Sequence, residues 1–134
     1  MTNIIEIEGI GDAYAKSLSG AGVNTLEMLL SQGSTPQGRK QIAEKAGISE
    51  ALILEWVNLA DLDRISGVGS EYADLLEAAG VDTVPELAQR VPANLLKKMT
   101  EVNAEKELVR RMPSLEQVES WVSQAKSLPR IVTY

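Results

Sequence analysis

The chain has 134 residues, 44% of them apolar and 24% charged, with a formal net charge of −6. Cysteine and histidine are absent, which excludes disulfides, thiolate metal sites and the commonest general base, and leaves carboxylates as the only charged metal donors. At this length folding buries about two-thirds of the unfolded surface, enough for one compact domain, while the acidic balance disfavours unassisted phosphate binding.

The predicted elements are helical. Asp12, just after Gly11, stands where a helix N-cap belongs, and Gly22 where a C′ glycine ends the helix. Thr25 caps the next helix. Thr35-Pro36 starts a third, which Gly47 ends. Ser49 opens a fourth, with Leu52, Ile53, Trp56, Val57 and Ala60 on one face. Ser70 then takes the part of Asp12, and Gly80 that of Gly22. Thr83-Val84-Pro85-Glu86 has the form of a capping box with proline in the first turn, and Ser114-Leu115-Glu116-Gln117 has the same form. After the latter come Val118, Val122 and Ala125 at helical spacing. Only the tail from Arg130 to Tyr134 alternates. An all-α fold of eight to ten helices, each about ten residues long, is expected.

These elements are organised by an internal repeat. Ile7-Glu8-Gly9-Ile10-Gly11-Asp12-Ala13-Tyr14-Ala15-Lys16-Ser17-Leu18 returns as Ile65-Ser66-Gly67-Val68-Gly69-Ser70-Glu71-Tyr72-Ala73-Asp74-Leu75-Leu76. The offset of 58 holds from Gly9 to Gly22 and beyond, to Thr25 and Thr83. Later landmarks repeat at an offset of 65: Ser49, Ile53, Trp56, Val57 and Ala60 match Ser114, Val118, Trp121, Val122 and Ala125. The second copy therefore carries about two extra helical turns. The repeats divide at residues 1–62 and 63–134 and are expected to pack as one pseudo-two-fold domain. The stretch before the first glycine pair is too short for a full helix. The C-terminal helix, with Trp121, is therefore expected to return beside Gly9-Ile10-Gly11, with the tail over Ile4 and Ile5.

The pattern G-[IV]-G-x-x-Y-A-x-x-L-x-x-A-G-V, present twice, resembles the helix-hairpin-helix motif. The whole chain looks like an uncharacterised bacterial family of tandem helix-hairpin-helix proteins, a domain of unknown function. The resemblance implies tight glycine hairpins whose backbone N–H groups contact nucleic-acid phosphates, or whose carbonyls hold a monovalent cation. The residues concerned are Gly9, Ile10, Gly11 and Asp12, and Gly67, Val68, Gly69 and Ser70. Asp12, Glu71 and Asp74 place carboxylates at the helix starts, where they oppose an incoming phosphate. A packing turn is the plainer reading, and a bulky residue at Gly69 is then expected to cost more than about 1 kcal/mol. The run from Arg39 to Ser49, followed by Ile53 and Trp56, similarly resembles a helix-turn-helix. Its outer face, Ser49, Glu50, Ala51, Leu54, Glu55 and Asn58, lacks the arginine and glutamine of a base-reading helix, so this turn too reads as structural.

Charge is uneven along the chain. Residues 63–89 hold one arginine against six carboxylates, whereas residues 90–134 hold eight basic residues against five glutamates. Arg90, Lys97, Lys98, Arg110 and Arg111 form a candidate patch for an acidic partner or a nucleic-acid backbone, although interleaved glutamates also suit a solvated helix face. Tyr14 and Tyr72 read as rings packed on neighbouring helices, and the two tryptophans as core anchors. No base can be named to activate a nucleophile, so the chain reads as no enzyme, with no cofactor and no metal. The expected role is a cytoplasmic helical binding module, with an unknown protein partner or scaffold role ranked first and DNA-backbone binding second. Neither a membrane span nor a signal peptide is read from it, and it is expected as a monomer or homodimer.

Overall fold

The computed structural model describes residues 3–7 and 10–134, in which a 3-10 turn at Ile4–Glu6 precedes eight α-helices. They are α1 (Asp12–Gly20), α2 (Leu26–Gln32), α3 (Pro36–Ala46), α4 (Glu50–Leu62), α5 (Ser70–Ala78), α6 (Val84–Ala88), α7 (Pro92–Lys106) and α8 (Leu115–Ser127). No strand occurs among the described residues, where one isolated bridge pairs Asn3 with Thr25. The fold is all-α.

Most helix ends follow from short polar side chains. Thr25 Oγ1 accepts from the Met28 N–H at 3.1 Å, Thr35 Oγ1 from Gly38 at 3.1 Å and Ser49 Oγ from Leu52 at 3.2 Å. Each satisfies one of the first-turn donors that a helix cannot pair itself. Ser114 and Gln117 complete a reciprocal box. Thr83 caps α6, but the Glu86 carboxylate reaches past it to the Asp82 N–H at 3.3 Å, so that box is opened by one residue. Gly22 (φ +87°) and Gly80 (φ +97°) close α1 and α5. Each lets the following valine N–H reach back five residues to the helix, Val23 to Leu18 O and Val81 to Leu76 O.

The two glycine pairs are capped differently from the sequence expectation. Gly11 and Gly69 themselves are the N-caps, in extended backbone, and their carbonyls accept from Ala15 and Ala73, each at 2.9 Å. Asp12 and Ser70 are the first helical residues rather than caps. Glycine brings no side-chain oxygen, so neither N-cap offers a side-chain acceptor to the first turn of its helix.

The chain divides into two compact units. The first runs to Asp61 and includes Ile131–Tyr134; the second is Leu62–Arg130. In the first, the Tyr14 ring meets Trp56 of α4 edge-on, with centroids 5.1 Å apart. In the second, Tyr72 meets Trp121 of α8 at 5.3 Å. Both tryptophans are 1% exposed, as core anchors should be. Trp121 covers the tyrosine and the glycine turn of its own unit, and Trp56 covers Tyr14. The tail is held within the first unit. Thr133 N–H donates to Ser34 O at 2.8 Å, and the Tyr134 hydroxyl to Asn58 Oδ1 at 2.8 Å.

Backbone strain falls at Gly67 and not at Gly69. Gly67 has φ +93°, and a Cβ there would lie 3.0 Å from Trp121 Nε1; at Gly69 nothing lies within 4 Å of that position. The cost expected at Gly69 therefore moves two residues earlier. Gly67→Ala should lower stability by about 1–3 kcal/mol in urea unfolding, whereas Gly69→Ser, which keeps a good N-cap residue, should stay within about 0.5 kcal/mol of the parent. Equal losses at both positions would contradict this placement.

Candidate functional site

The second glycine turn is built by short backbone bonds. Ile65 N–H donates to Leu62 O at 3.1 Å, and Val68 N–H to Ile65 O at 3.0 Å. Val68 is buried and anchors the turn, which leaves Gly67 and Gly69 at the surface and aims the chain into α5. The first-turn N–H groups of α5 carry the partial positive charge of a helix start.

A loop from the other end of the unit comes to this turn. α7 ends at Glu107, in left-handed conformation (φ 50°), and six residues then lead to the Ser114 cap. Asn103 grips the loop, its side chain bonding both the N–H and the carbonyl of Val109 at 3.0 and 3.1 Å. The Tyr72 hydroxyl donates to Arg111 O at 2.9 Å and so ties the loop to α5. Gly67, Gly69, Glu71, Tyr72, Arg110 and Arg111 together line an open recess of about 370 Å³. Arg110, Arg111 and a helix start favour an anion there, while Glu71 in the lining and Asp74 one turn on oppose it. In the first unit the corresponding connection is only Gly47-Ile48-Ser49, so the residues that bring the arginines belong to the stretch by which the second copy is longer.

The remaining sequence candidates do not gather here. Gly9 lies outside the described residues. Ile10 is buried, Gly11 is an exposed cap and Asp12 an exposed first residue of α1. Arg90 turns to the Gly80 carbonyl at 3.0 Å and to Glu86 at 3.6 Å, which makes it a brace of the α5–α6 turn. Lys97 and Lys98 are exposed on α7 and do not line the recess. Of the five basic residues, Arg110 and Arg111 are the ones that line this recess.

The helix-turn-helix face is partly taken by the chain itself. Asn58 is bonded by Tyr134, and Glu50, Ala51 and Leu54 line a recess of about 250 Å³ with Pro36, Arg39 and Tyr134. Arg39, 5% exposed, donates to Gly33 O at 2.9 Å and to Thr133 O at 2.7 Å under the Tyr134 ring. Burial lowers its pKa from the ordinary arginine value, while the nearby Tyr134 and Glu50 raise it. Sequence reasoning missed this clamp, whose partners are backbone carbonyls that no residue pattern marks. Among the described residues no three acidic groups could together hold a metal ion, and no helix is long and apolar enough to cross a membrane.

Residues 8–128 match the domain of unknown function DUF4332, and the chain belongs to that family. Comparison with curated proteins and with solved structures gives no match.

The Tyr72 hydroxyl bond gives the loop its position, so Tyr72→Phe should cost about 0.5–1.5 kcal/mol and loosen residues 107–113. Amide hydrogen exchange in that loop should accelerate while α6 keeps the parent rate. An unchanged loop would show that Asn103 alone holds it.

Proposed function

We propose that this DUF4332 protein is a non-enzymatic cytoplasmic binding module of two helix-hairpin-helix units, and that its second hairpin holds the phosphates of a nucleic-acid backbone. The observation that supports this reading is the meeting of Gly67, Gly69, Arg110 and Arg111 in one recess. Hairpin amides and arginines are the two donor types that phosphate oxygens take, and neither carries base-sequence information. The glycine caps add support, because Gly11 and Gly69 hold the N-cap positions expected of Asp12 and Ser70. The first hairpin, with no inserted arginine pair, serves as a packing element.

A protein partner is the second reading, favoured by the net charge of −6 and by the fit of the same arginines to an acidic segment. Salt dependence on DNA separates the two. Two arginine–phosphate contacts correspond to about a tenfold loss of affinity between 50 and 200 mM salt, from a dissociation constant in the range of roughly 1–100 μM. Arg110→Ala with Arg111→Ala should weaken binding about tenfold or more and flatten the salt slope, and Glu71→Gln should strengthen it severalfold. Binding that ignores both changes would overturn the DNA reading and leave the protein partner.

A further inference from the structure

We infer that Glu71 is a specificity-determining residue of this site, its carboxylate accepting a hydrogen bond from a ribose 2′-hydroxyl, so that the backbone held there is RNA. This deepens the phosphate reading above and rests on it. Glu71 stands in the first turn of α5 and lines the recess with Arg110 and Arg111. All three are exposed, and among the described residues the Glu71 side chain makes no ion pair and no hydrogen bond. Asp74, one turn on, differs in both respects, since it does not line the recess and is engaged within the protein. Tyr72, the other polar side chain of the lining, gives its hydroxyl proton to Arg111 O at 2.9 Å. The recess therefore presents two cationic side chains and one carboxylate without a side-chain donor among the described residues.

An ionised carboxylate accepts hydrogen bonds and cannot donate one. The backbone of DNA consists of phosphate and sugar oxygens that also only accept, so Glu71 gains nothing from it and repels its charge. RNA adds a hydroxyl to every ribose, a donor as well as an acceptor, beside the phosphates that Arg110 and Arg111 would hold. At about 370 Å³ the recess falls in the range of pockets that take a small organic group, which gives a sugar room beside its phosphate. The carboxylate that opposes a bare phosphate is thereby turned to use, because a hydrogen bond to a charged acceptor is stronger than a neutral one. Discrimination against DNA then has two parts, the missing bond and the repulsion that nothing offsets.

The test uses the full chain and a short single strand of adenine and cytosine nucleotides made three ways, as DNA, as RNA and as 2′-O-methyl RNA. The three share their bases and phosphates, and the methyl ether keeps the ribose while removing the donor. RNA should bind about tenfold more tightly than either of the others, as one hydrogen bond to a charged acceptor warrants. Glu71→Ala changes an exposed side chain, and a thermal melt checks that the variant is folded. It should make the three affinities nearly equal, with DNA bound more tightly than by the parent. The double arginine variant should weaken all three together. Equal binding of RNA and DNA by the parent, with the arginine dependence intact, would show that Glu71 reads no hydroxyl although the phosphate reading stands. A preference for RNA that survives 2′-O-methylation or Glu71→Ala would do the same, because the form of the strand is then what is read. If the parent binds none of the three, the phosphate reading fails and this inference falls with it.

Discussion

A tyrosine ring set against a tryptophan closes each unit, and the other packing depends on it. Tyr14 on Trp56 and Tyr72 on Trp121 join the first helix of a unit to its fourth, with both indoles almost fully covered. Aromatic pairs of this geometry add about 0.5–1.5 kcal/mol beyond the area they bury, a notable share in a chain without phenylalanine. The intervening helices are short, α2 and α6 having seven and five residues. Helices of that length do not persist alone, so their caps become useful only once the ring pair has closed the unit around them.

The helices were legible because their ends are local events. A threonine oxygen bonds an N–H three residues on, and a glycine with positive φ lets the chain turn back, whatever the rest of the molecule does. At Gly11 and Gly69 the same logic slipped by one residue. Glycine and the small polar residue after it are both good N-caps, and only the dihedral angles tell which residue is extended. The ring pairs were legible as core anchors but not as partners, because no local signal says which tyrosine a tryptophan meets.

The candidate site was half legible. The glycine pattern marked the turn, and the jump in offset from 58 to 65 marked extra residues between Thr83 and Ser114, which the structure divides between a longer α7 and the loop after it. Nothing local says that such a loop folds back onto the turn. That depends on the Tyr72 hydroxyl finding Arg111 O, and on Asn103 bonding both polar groups of Val109. Arg90 shows the converse case. It has the charge and the exposure expected of a patch residue, yet the Gly80 carbonyl takes its guanidinium, and the residue 58 positions before it, Gln32, makes the matching bond to Gly22 O at 3.2 Å.

An overall charge of −6 and an anion-binding recess are compatible once distance is counted. At physiological ionic strength the Debye length is about 8 Å, so exposed carboxylates farther than that from the recess are largely screened. The recess itself is lined by Arg110, Arg111 and Glu71 beside a helix start, with Asp74 one turn on. Backbone form alone does not make such a place, because Gly11 and Gly69 have nearly the same dihedral angles, at φ −90° and ψ −175° or −174°. The difference between the two turns is the loop brought beside the second. On the proposed reading the duplicated backbone supplies two equal cradles, and the inserted residues decide which one holds a ligand.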